Sequence, residues 1–275
     1  MRFCTAIILL LFGTLSYTQP IEIDFGALQA TKPWAKTEQW EPVPMKVTPG
    51  TFTAPPSDAI VLFDGGDLDA WHKPKYGYGA RMDQVESIID WKSEHPEFSD
   101  PEWLVKDGQM IVNPGTGAIE TKQAFGDVQL HIEWLAPVDP GKEDQGYSNS
   151  GVFFMGLYEI QVLNSYENKT YANGQAGAMY KQHIPLVNAS RPPGEWQSYD
   201  IIFMAPKFKE DGNLDSPAYI TAFHNGVLIQ NHAELEGPCV FIGEPYYFKH
   251  AEKLPLLLQD HGNKVRFRNI WVREL

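Results

Sequence analysis

The chain has 275 residues and a formal net charge of −13, with 43% hydrophobic and 13% aromatic residues. This charge disfavours binding to nucleic acid or to anionic membranes, because both of these partners require a basic protein face. Neutral carbohydrates remain compatible ligands, since aromatic rings and hydrogen-bonding side chains suffice to bind them, and the chain contains eight Trp and twelve Tyr.

The N-terminus has the layout of a secretory signal peptide. Arg2 precedes an apolar run at residues 6–12, and small or polar residues follow it. The run is shorter than the roughly 20 residues that span a bilayer, so membrane insertion is not expected. We therefore predict a signal peptide at 1–19 and a periplasmic or extracellular mature protein. Cys239 is then the single cysteine of the mature chain, which predicts no internal disulfide.

Residues 20–57 are rich in proline and show little hydrophobic periodicity. This combination predicts an extended N-terminal arm, because proline fixes its own φ angle and restricts the residue before it. The prolines of this stretch are at positions 20, 33, 42, 44, 49, 55 and 56.

From residue 60 onward, short runs rich in Val, Ile, Phe, Tyr and Trp alternate with Gly, Asn, Asp and Pro, a pattern typical of β-strands. Asp107-Gly108 and Asn225-Gly226 predict hairpin turns, since these pairs tolerate positive φ angles. A helical period is suggested only near 82–91, where we expect a short helix or loop. The pattern favours an all-β sandwich or jelly roll. The predicted strands are 103–112, 128–135, 151–155, 158–163, 198–204, 219–224, 227–231, 256–259 and 265–273.

Three of these strands alternate apolar and polar residues, so each places its polar side chains on one face. If the three strands are neighbours in a curved sheet, these faces combine into a polar groove that could hold a ligand. The polar positions are Gln129, His131 and Glu133 in the first strand, Glu159 and Gln161 in the second, and Arg266 and Arg268 in the third.

Several short blocks follow one another along the chain: LFDGGDLDAW at 62–71, WLVKDG at 103–108, ET at 120–121, FGD at 125–127, NSGVFF at 149–154, YEIQ at 158–161, GEW at 194–196, NG at 225–226, LQDHG at 258–262 and FRNI at 267–270. In this order they resemble the 3-keto-disaccharide hydrolase domain family, from about residue 60 to the end. The resemblance implies a concanavalin A-like jelly roll of two antiparallel sheets at 58–275, with the ligand site on the concave sheet. Residues 73–101 and 205–215 depart from the family pattern as insertions, which leaves the substrate open.

The resemblance also implies a reaction on glycosides that carry a ketone at C3. Such a ketone acidifies the C2 proton, so a base can form an enolate and the glycosidic oxygen can leave from C1 with help from an acid. Addition of water to the resulting enone completes a net hydrolysis. The expected protein is a secreted carbohydrate-active enzyme of the hydrolase or lyase type, and its partner is a 3-keto-glycoside or a related sugar.

The matching blocks supply most of the expected site residues, and His131, Glu133 and Tyr180 are further candidates outside them. Glu159 and His261 are the expected acid/base pair, with Arg268 stabilising the enolate. Structural alternatives remain open, since Glu159 could lie on a solvated face, His261 could shape a turn, and Arg268 could pair with a carboxylate. The expected substrate-binding residues are Asn149, Gln161, His131, Glu133 and Tyr180.

No cofactor is assured by the sequence. His131, Glu133, Glu159 and His261 could converge on a divalent cation, but no dense ligand spacing such as His-Glu-x-x-His is present, and no metal ligand is assigned. Two other functions stay open: a non-catalytic carbohydrate-binding module on the same scaffold, and a retaining or inverting glycosidase that uses Glu133 and Glu159. The oligomeric state and the linkage cleaved are not determined.

Overall fold

The computed structural model describes residues 32–51, 54–74 and 98–275, together with Ala27. The predicted signal peptide at 1–19 and the predicted short helix at 82–91 therefore lie outside the described residues, as does most of the insertion at 73–101.

The chain divides into two compact units, with the boundary between Lys46 and Val47. In the first unit, the described residues include a 3₁₀ helix at Pro33–Thr37. This helix begins at a proline, whose fixed φ angle suits the first turn of a helix. Within the described ranges, the structure shows no helix that is both long and apolar enough to cross a membrane.

The described residues of the second unit form antiparallel β-strands and two short 3₁₀ helices, Asp144–Gly146 and Ala172–Gly174. In chain order the described strands are β1 (Ile60–Phe63), β2 (Trp71–His72), β3 (Leu104–Lys106), β4 (Gln109–Ile111), β5 (Ile119–Phe125), β6 (Val128–Leu135), β7 (Ser150–Phe154), β8 (Tyr158–Val162), β9 (Trp196–Met204), β10 (Lys207–Phe208), β11 (Leu214–Ser216), β12 (Tyr219–His224), β13 (Val227–Glu234), β14 (Leu254–Leu258) and β15 (Arg266–Glu274).

Two sheets form the sandwich. The larger sheet has the order β13-β12-β9-β6-β15-β4-β3, with β1 also pairing with β15, and the smaller sheet has the order β2-β5-β14-β7-β8. Strands β10 and β11 form a separate two-stranded ribbon within the predicted insertion at 205–215. The prediction of an all-β, jelly-roll sandwich of two antiparallel sheets is confirmed.

The core lies between the two sheets and is formed by the side chains of alternate residues in their strands. In β6 the side chains of Leu130, Ile132 and Trp134 are buried, and in β8 those of Ile160 and Val162 are buried. Because side chains of a strand alternate between its two faces, the residues between them point away from the core.

Both predicted hairpin turns are present. Asp107 and Gly108 have φ angles of 52° and 71°, and Asn225 and Gly226 have φ angles of 52° and 79°. These positive values are those of a type I′ turn, which matches the twist of the flanking strands. The run at 103–112 is therefore a hairpin, β3 and β4, and not a single strand.

Strand β5 was not predicted, although it lies between β2 and β14 in the smaller sheet. Its central residues are polar, and they have no clear alternation of apolar side chains. Thr121 occupies an inward position with its hydroxyl bonded to the Gln123 carbonyl at 2.6 Å and to the Leu256 amide at 3.0 Å. These bonds satisfy a buried polar group that the apolar pattern cannot reveal.

Candidate functional site

A row of side chains crosses the outer face of the smaller sheet. Strand pairing aligns, in order, His72, Glu120, Leu257, Phe153 and Glu159. Their sequence neighbours in β7, β8 and β14 belong to the core, so this row points away from it. The face thus combines an acidic group at each side with apolar side chains between them.

Glu159 is the buried carboxyl of this row, with 5% of its surface exposed. Its Oε2 accepts a hydrogen bond of 2.9 Å from the Cys239 thiol. Its Oε1 lies above Gly151, in the space where any other residue would place a Cβ atom. Burial raises the pKa of Glu159 to about 8, against the opposing effect of the Cys239 hydrogen bond. The side chain is therefore a protonated acid near neutral pH.

One of the predicted substrate-binding residues approaches Glu159, and a second lies close to Gly151 in the chain. The Gln161 amide lies beside it and, when turned through 180°, donates to the Ser150 carbonyl at 2.9 Å and to Glu159 Oε1 at 3.2 Å. Asn149 is buried and donates to the Gln145 carbonyl at 2.9 Å. Both amides thus hold the backbone and the neighbouring side chains of the site.

A groove of about 520 Å³ lies near Glu159, and its lining includes Tyr180 and Val240, the residue that follows Cys239. Tyr180 connects the two, because its amide donates to the Glu159 carbonyl at 3.3 Å and its side chain lines the groove. The hydroxyls of Tyr171 and Tyr180 are 2.7 Å apart. Lys181 lies near both rings and over the ring of Phe241, at 4.2 Å from its centroid. Aromatic faces, hydroxyls and one ammonium group are suited to a polar ring such as a sugar.

His261 is exposed in the loop between β14 and β15. The preceding Asp260 fixes this loop, since its carboxylate accepts from the amides of Gly115 and Gly117 at 2.7 and 3.0 Å. Gln259 joins the loop to the site, because its amide donates to the Gly151 carbonyl at 3.0 Å. His261 therefore follows, by two residues, Gln259, which is hydrogen-bonded to Gly151 under Glu159.

The other predicted site residues lie on the opposite side of the core. Strands β6 and β15 belong to the larger sheet, and they direct His131, Glu133 and Arg268 away from the core on its outer face. The predicted shared groove with Glu159 and Gln161 is wrong, because β8 belongs to the other sheet. Alternation within a strand determines which residues share a face, but it does not determine which sheet the strand joins.

These residues form a compact ionic network. Glu133 accepts from Arg268 at 2.6 Å and from Asn269 at 2.9 Å. His131 bonds to Asp200 at 2.6 Å. Burial lowers the pKa of His131, but its hydrogen bonds to Asp200 and Glu133 outweigh burial and raise it to about 9. Each charge has an opposite partner, as a structural ion pair requires.

The position of Arg268 is equally explained by packing. Its guanidinium lies 4.0 Å from the ring centroid of Trp196, in addition to its bond with Glu133. A role at an enolate beside Glu159 would require it to reach through the sandwich. The structure thus removes Arg268, His131 and Glu133 from the site around Glu159.

A conventional glycosidase pair of Glu133 and Glu159 is excluded by the same topology. Such a pair flanks one glycosidic bond, with carboxyl groups about 5 to 9.5 Å apart. Stacked sheets are already about 10 Å apart, and these two side chains point in opposite directions from them. The predicted convergence of His131, Glu133, Glu159 and His261 on one cation is wrong for this reason. Within the described ranges, no group of three or more His, Cys, Asp or Glu is arranged to hold a metal ion.

Several residues of the site were missed by sequence reasoning. Cys239, Tyr171 and Lys181 lie in loops, and loops have no alternating pattern from which a common face could be predicted. His72 and Glu120 form a buried pair, with Nε2 and Oε1 separated by 3.1 Å, at the far end of the row. Glu120 belonged to a block that was noted, but the polar composition of β5 concealed the strand that carries it.

Comparisons with known proteins agree with this architecture. The family model of the 3-keto-alpha-glucoside-1,2-lyase-like domain matches residues 58–273. A Parabacteroides distasonis protein of known structure, provisionally described as a glycosyl hydrolase, is 47% identical, with a TM-score of 0.76 over 87% of this chain and 95% of its own.

A second P. distasonis structure with the same provisional description is 20% identical, with a TM-score of 0.52 over 79% of this chain and 94% of its own, and this likeness supports the fold alone. A search of curated proteins finds no match. The family match spans well over half of the chain. The chain therefore belongs to the 3-keto-alpha-glucoside-1,2-lyase-like domain family, and its role is carbohydrate-active.

Proposed function

We propose that the protein is a secreted enzyme that cleaves the glycosidic bond of 3-keto-glycosides, with Glu159 as the proton donor. The observation that carries this proposal is the buried Glu159 carboxyl beside the groove, whose pKa burial raises to about 8. A carboxyl that stays protonated near neutral pH can give its proton to a leaving oxygen. The family match supports the ketone-bearing substrate.

The proposed reaction proceeds by elimination and hydration. A base removes the C2 proton, the electron pair of that bond forms an enolate with the C3 ketone, and the C1–O bond then breaks. The leaving oxygen takes the proton of Glu159, which becomes a carboxylate. Water adds to the enone, with its oxygen at C1 and a proton at C2, and the proton that the base took from C2 returns to the Glu159 carboxylate through solvent before the next cycle.

His261 is the proposed base. It is exposed and follows Gln259, which is paired with Gly151 under the Glu159 carboxyl. An imidazole at this end of the site can accept the C2 proton from a sugar that lies against Glu159 Oε1. Lys181 takes the place of Arg268 as the proposed cation near the enolate oxygen, because it lies in the groove with Tyr180.

Secretion follows from the predicted signal peptide at 1–19, and it remains part of the proposal. A divalent cation is kept only as a proposal that a chelator tests, because no group of three or more His, Cys, Asp or Glu in the described ranges is arranged to hold one. Purification of the protein from a periplasmic fraction, and sequencing of its N-terminus, would test cleavage near residue 19.

The reaction is tested by incubating the purified protein with a 3-keto-glucoside and with its unoxidised parent, each with and without a chelator. Release of the aglycone from the keto form only is the expected result. Cleavage of the parent at a similar rate would contradict the elimination chemistry, and binding without turnover of either sugar would leave a binding module. Loss of the keto activity with the chelator, restored by added divalent ion, would support the metal.

The base is tested by His261→Ala, with Asn263→Ala as a control in the same loop. We expect His261→Ala to lower turnover of the keto substrate by about a hundredfold or more, the usual contribution of a positioned base. Near-normal turnover in this variant would remove His261 from the reaction. Asn263 supports the loop through bonds to Ser148 and His261, so its variant reports the effect of loop loosening alone.

A further inference from the structure

Cys239 belongs to the support of the candidate site and was not anticipated from the sequence. Its backbone amide donates to the Leu157 carbonyl at 2.7 Å, which fastens this segment to the turn between β7 and β8. Its side chain is 3% exposed and packs in a small apolar cluster with Ala118, Phe153 and Leu257. Both the main chain and the side chain of Cys239 are therefore fixed relative to the smaller sheet.

The thiol and the glycine on the neighbouring strand act on different oxygens of Glu159. Cys239 Sγ donates to Oε2 at 2.9 Å. Gly151 provides the open space that Oε1 occupies, since a Cβ atom at this position would overlap it. The two contacts together orient the carboxyl group: Cys239 holds Oε2, and Oε1 lies above Gly151.

We propose that Cys239 is a positioning residue for Glu159, and that its thiol holds Oε2 so that Oε1 faces the space above Gly151. This inference rests on the proposed function of Glu159 as the proton donor. The thiol donates its hydrogen, so its bond with Oε2 is stronger when the carboxyl is ionised. Cys239 therefore opposes the effect of burial and keeps the acid able to release its proton.

The other groups that face Glu159 have distinct effects. Burial raises the pKa values of Tyr171 and Tyr180, and the charge of an ionised Glu159 adds to this effect. The Gln161 amide approaches Oε1, and Lys181 lies over the tyrosine rings. Of these groups, the Lys181 ammonium donates a hydrogen bond to the Phe241 carbonyl at 2.5 Å.

The same segment connects Glu159 to the groove. Val240 and Phe241, which follow Cys239 directly, line the groove. A ligand that presses on these two residues would act on the thiol through one or two peptide bonds.

The test is a direct titration of Glu159 that needs no substrate. The protein is labelled with ¹³C at the glutamate carboxyl, and the Glu159 signal is identified by its loss in Glu159→Gln. We expect Cys239→Ala to move the titration midpoint to a higher pH than in the wild type, and Cys239→Ser, which keeps a donor, to restore it. Leu257→Val trims the same apolar cluster away from Glu159 and should leave the midpoint unchanged.

Identical midpoints in Cys239→Ala and the wild type would overturn the proposal, as would an equal displacement in Leu257→Val. Turnover of the 3-keto-glucoside gives the second readout: Cys239→Ala should lower kcat about tenfold with little change in KM, and Cys239→Ser should recover most of it. If the wild type does not turn over the substrate, the proposed function fails. The titration still decides the role of Cys239 in that case.

Discussion

Replacing Glu159 by Gln should make the protein more resistant to unfolding at alkaline pH. The amide has the size of the protonated acid but cannot ionise. In the wild type, the pKa of Glu159 rises from 4.5 to about 8 on folding because the side chain is buried. Between these values the folded chain holds a proton that the unfolded chain has released, so the free energy of unfolding falls as pH rises.

The size of this effect follows from the two pKa values. Each unit of difference corresponds to about 1.4 kcal/mol, so the full effect is on the order of 3 to 5 kcal/mol. The stabilising contribution of the protonated acid is complete below pH 4.5 and is lost as pH rises through about 8. The difference in stability between Glu159→Gln and the wild type should therefore grow over this interval and then level off.

Urea unfolding followed by tryptophan fluorescence at unit steps from pH 5 to 9 measures this difference. Other titrating groups are shared by both proteins and cancel to first order. Glu133→Gln is the matched control: burial raises the pKa of Glu133, but bonds from His131, Asn269 and Arg268 outweigh it and lower the pKa to about 2. Its difference from the wild type should be level between pH 4.5 and about 6, where that of Glu159→Gln should already grow. Above this range the control also changes, because Glu133 helps to raise the pKa of His131. A level difference for Glu159→Gln as well would refute the buried, protonated acid.

Two further predictions concern the floor of the site and the opposite face. Gly151→Ala should lower turnover strongly and destabilise the fold by about 1 to 3 kcal/mol, because its Cβ would overlap Glu159 Oε1 and the Phe153 ring. Gly146→Ala is the control, since nothing lies within 4 Å of the added Cβ. Equal kinetics of the two variants would contradict the predicted overlap. His131→Gln should lower the free energy of unfolding by on the order of 1 to 3 kcal/mol below pH 6.5, because the folded state there holds a protonated imidazole paired with carboxylates. This loss should shrink as pH rises through about 9. A loss that grows with pH would show that the folded imidazole is neutral.

The fold was predictable from the sequence because most strands have a β-rich composition and are bounded by turn residues. Strand β6 was predicted with its full length, and the Asn225-Gly226 turn fixed the β12–β13 hairpin. Strand β5 was not predicted because its buried Thr121 and Glu120 are polar. Their hydrogen-bond partners include residues distant in the sequence, so no local pattern indicates that they are buried.

The candidate site was predictable only in part. A sequence block pointed to Glu159, and Tyr180, a candidate outside the blocks, lies beside it, but alternation alone grouped Glu159 with Arg268. The two strands that carry them have the same pattern of apolar and polar residues, and only long-range pairing assigns them to different sheets. Cys239 carries no pattern at all, since its contact with Glu159 joins residues 80 positions apart in the chain.

The assignment of the proton donor is tested most directly by comparing kcat/KM of Glu159→Gln and Glu133→Gln for a 3-keto-glucoside at pH 7. Both variants exchange one carboxyl for an amide, but on opposite faces of the sandwich. The account predicts a loss of about a hundredfold or more for Glu159→Gln, as expected when a general acid is removed, and a change of less than about threefold for Glu133→Gln. A normal rate in Glu159→Gln, or an equal loss in both variants, would contradict it.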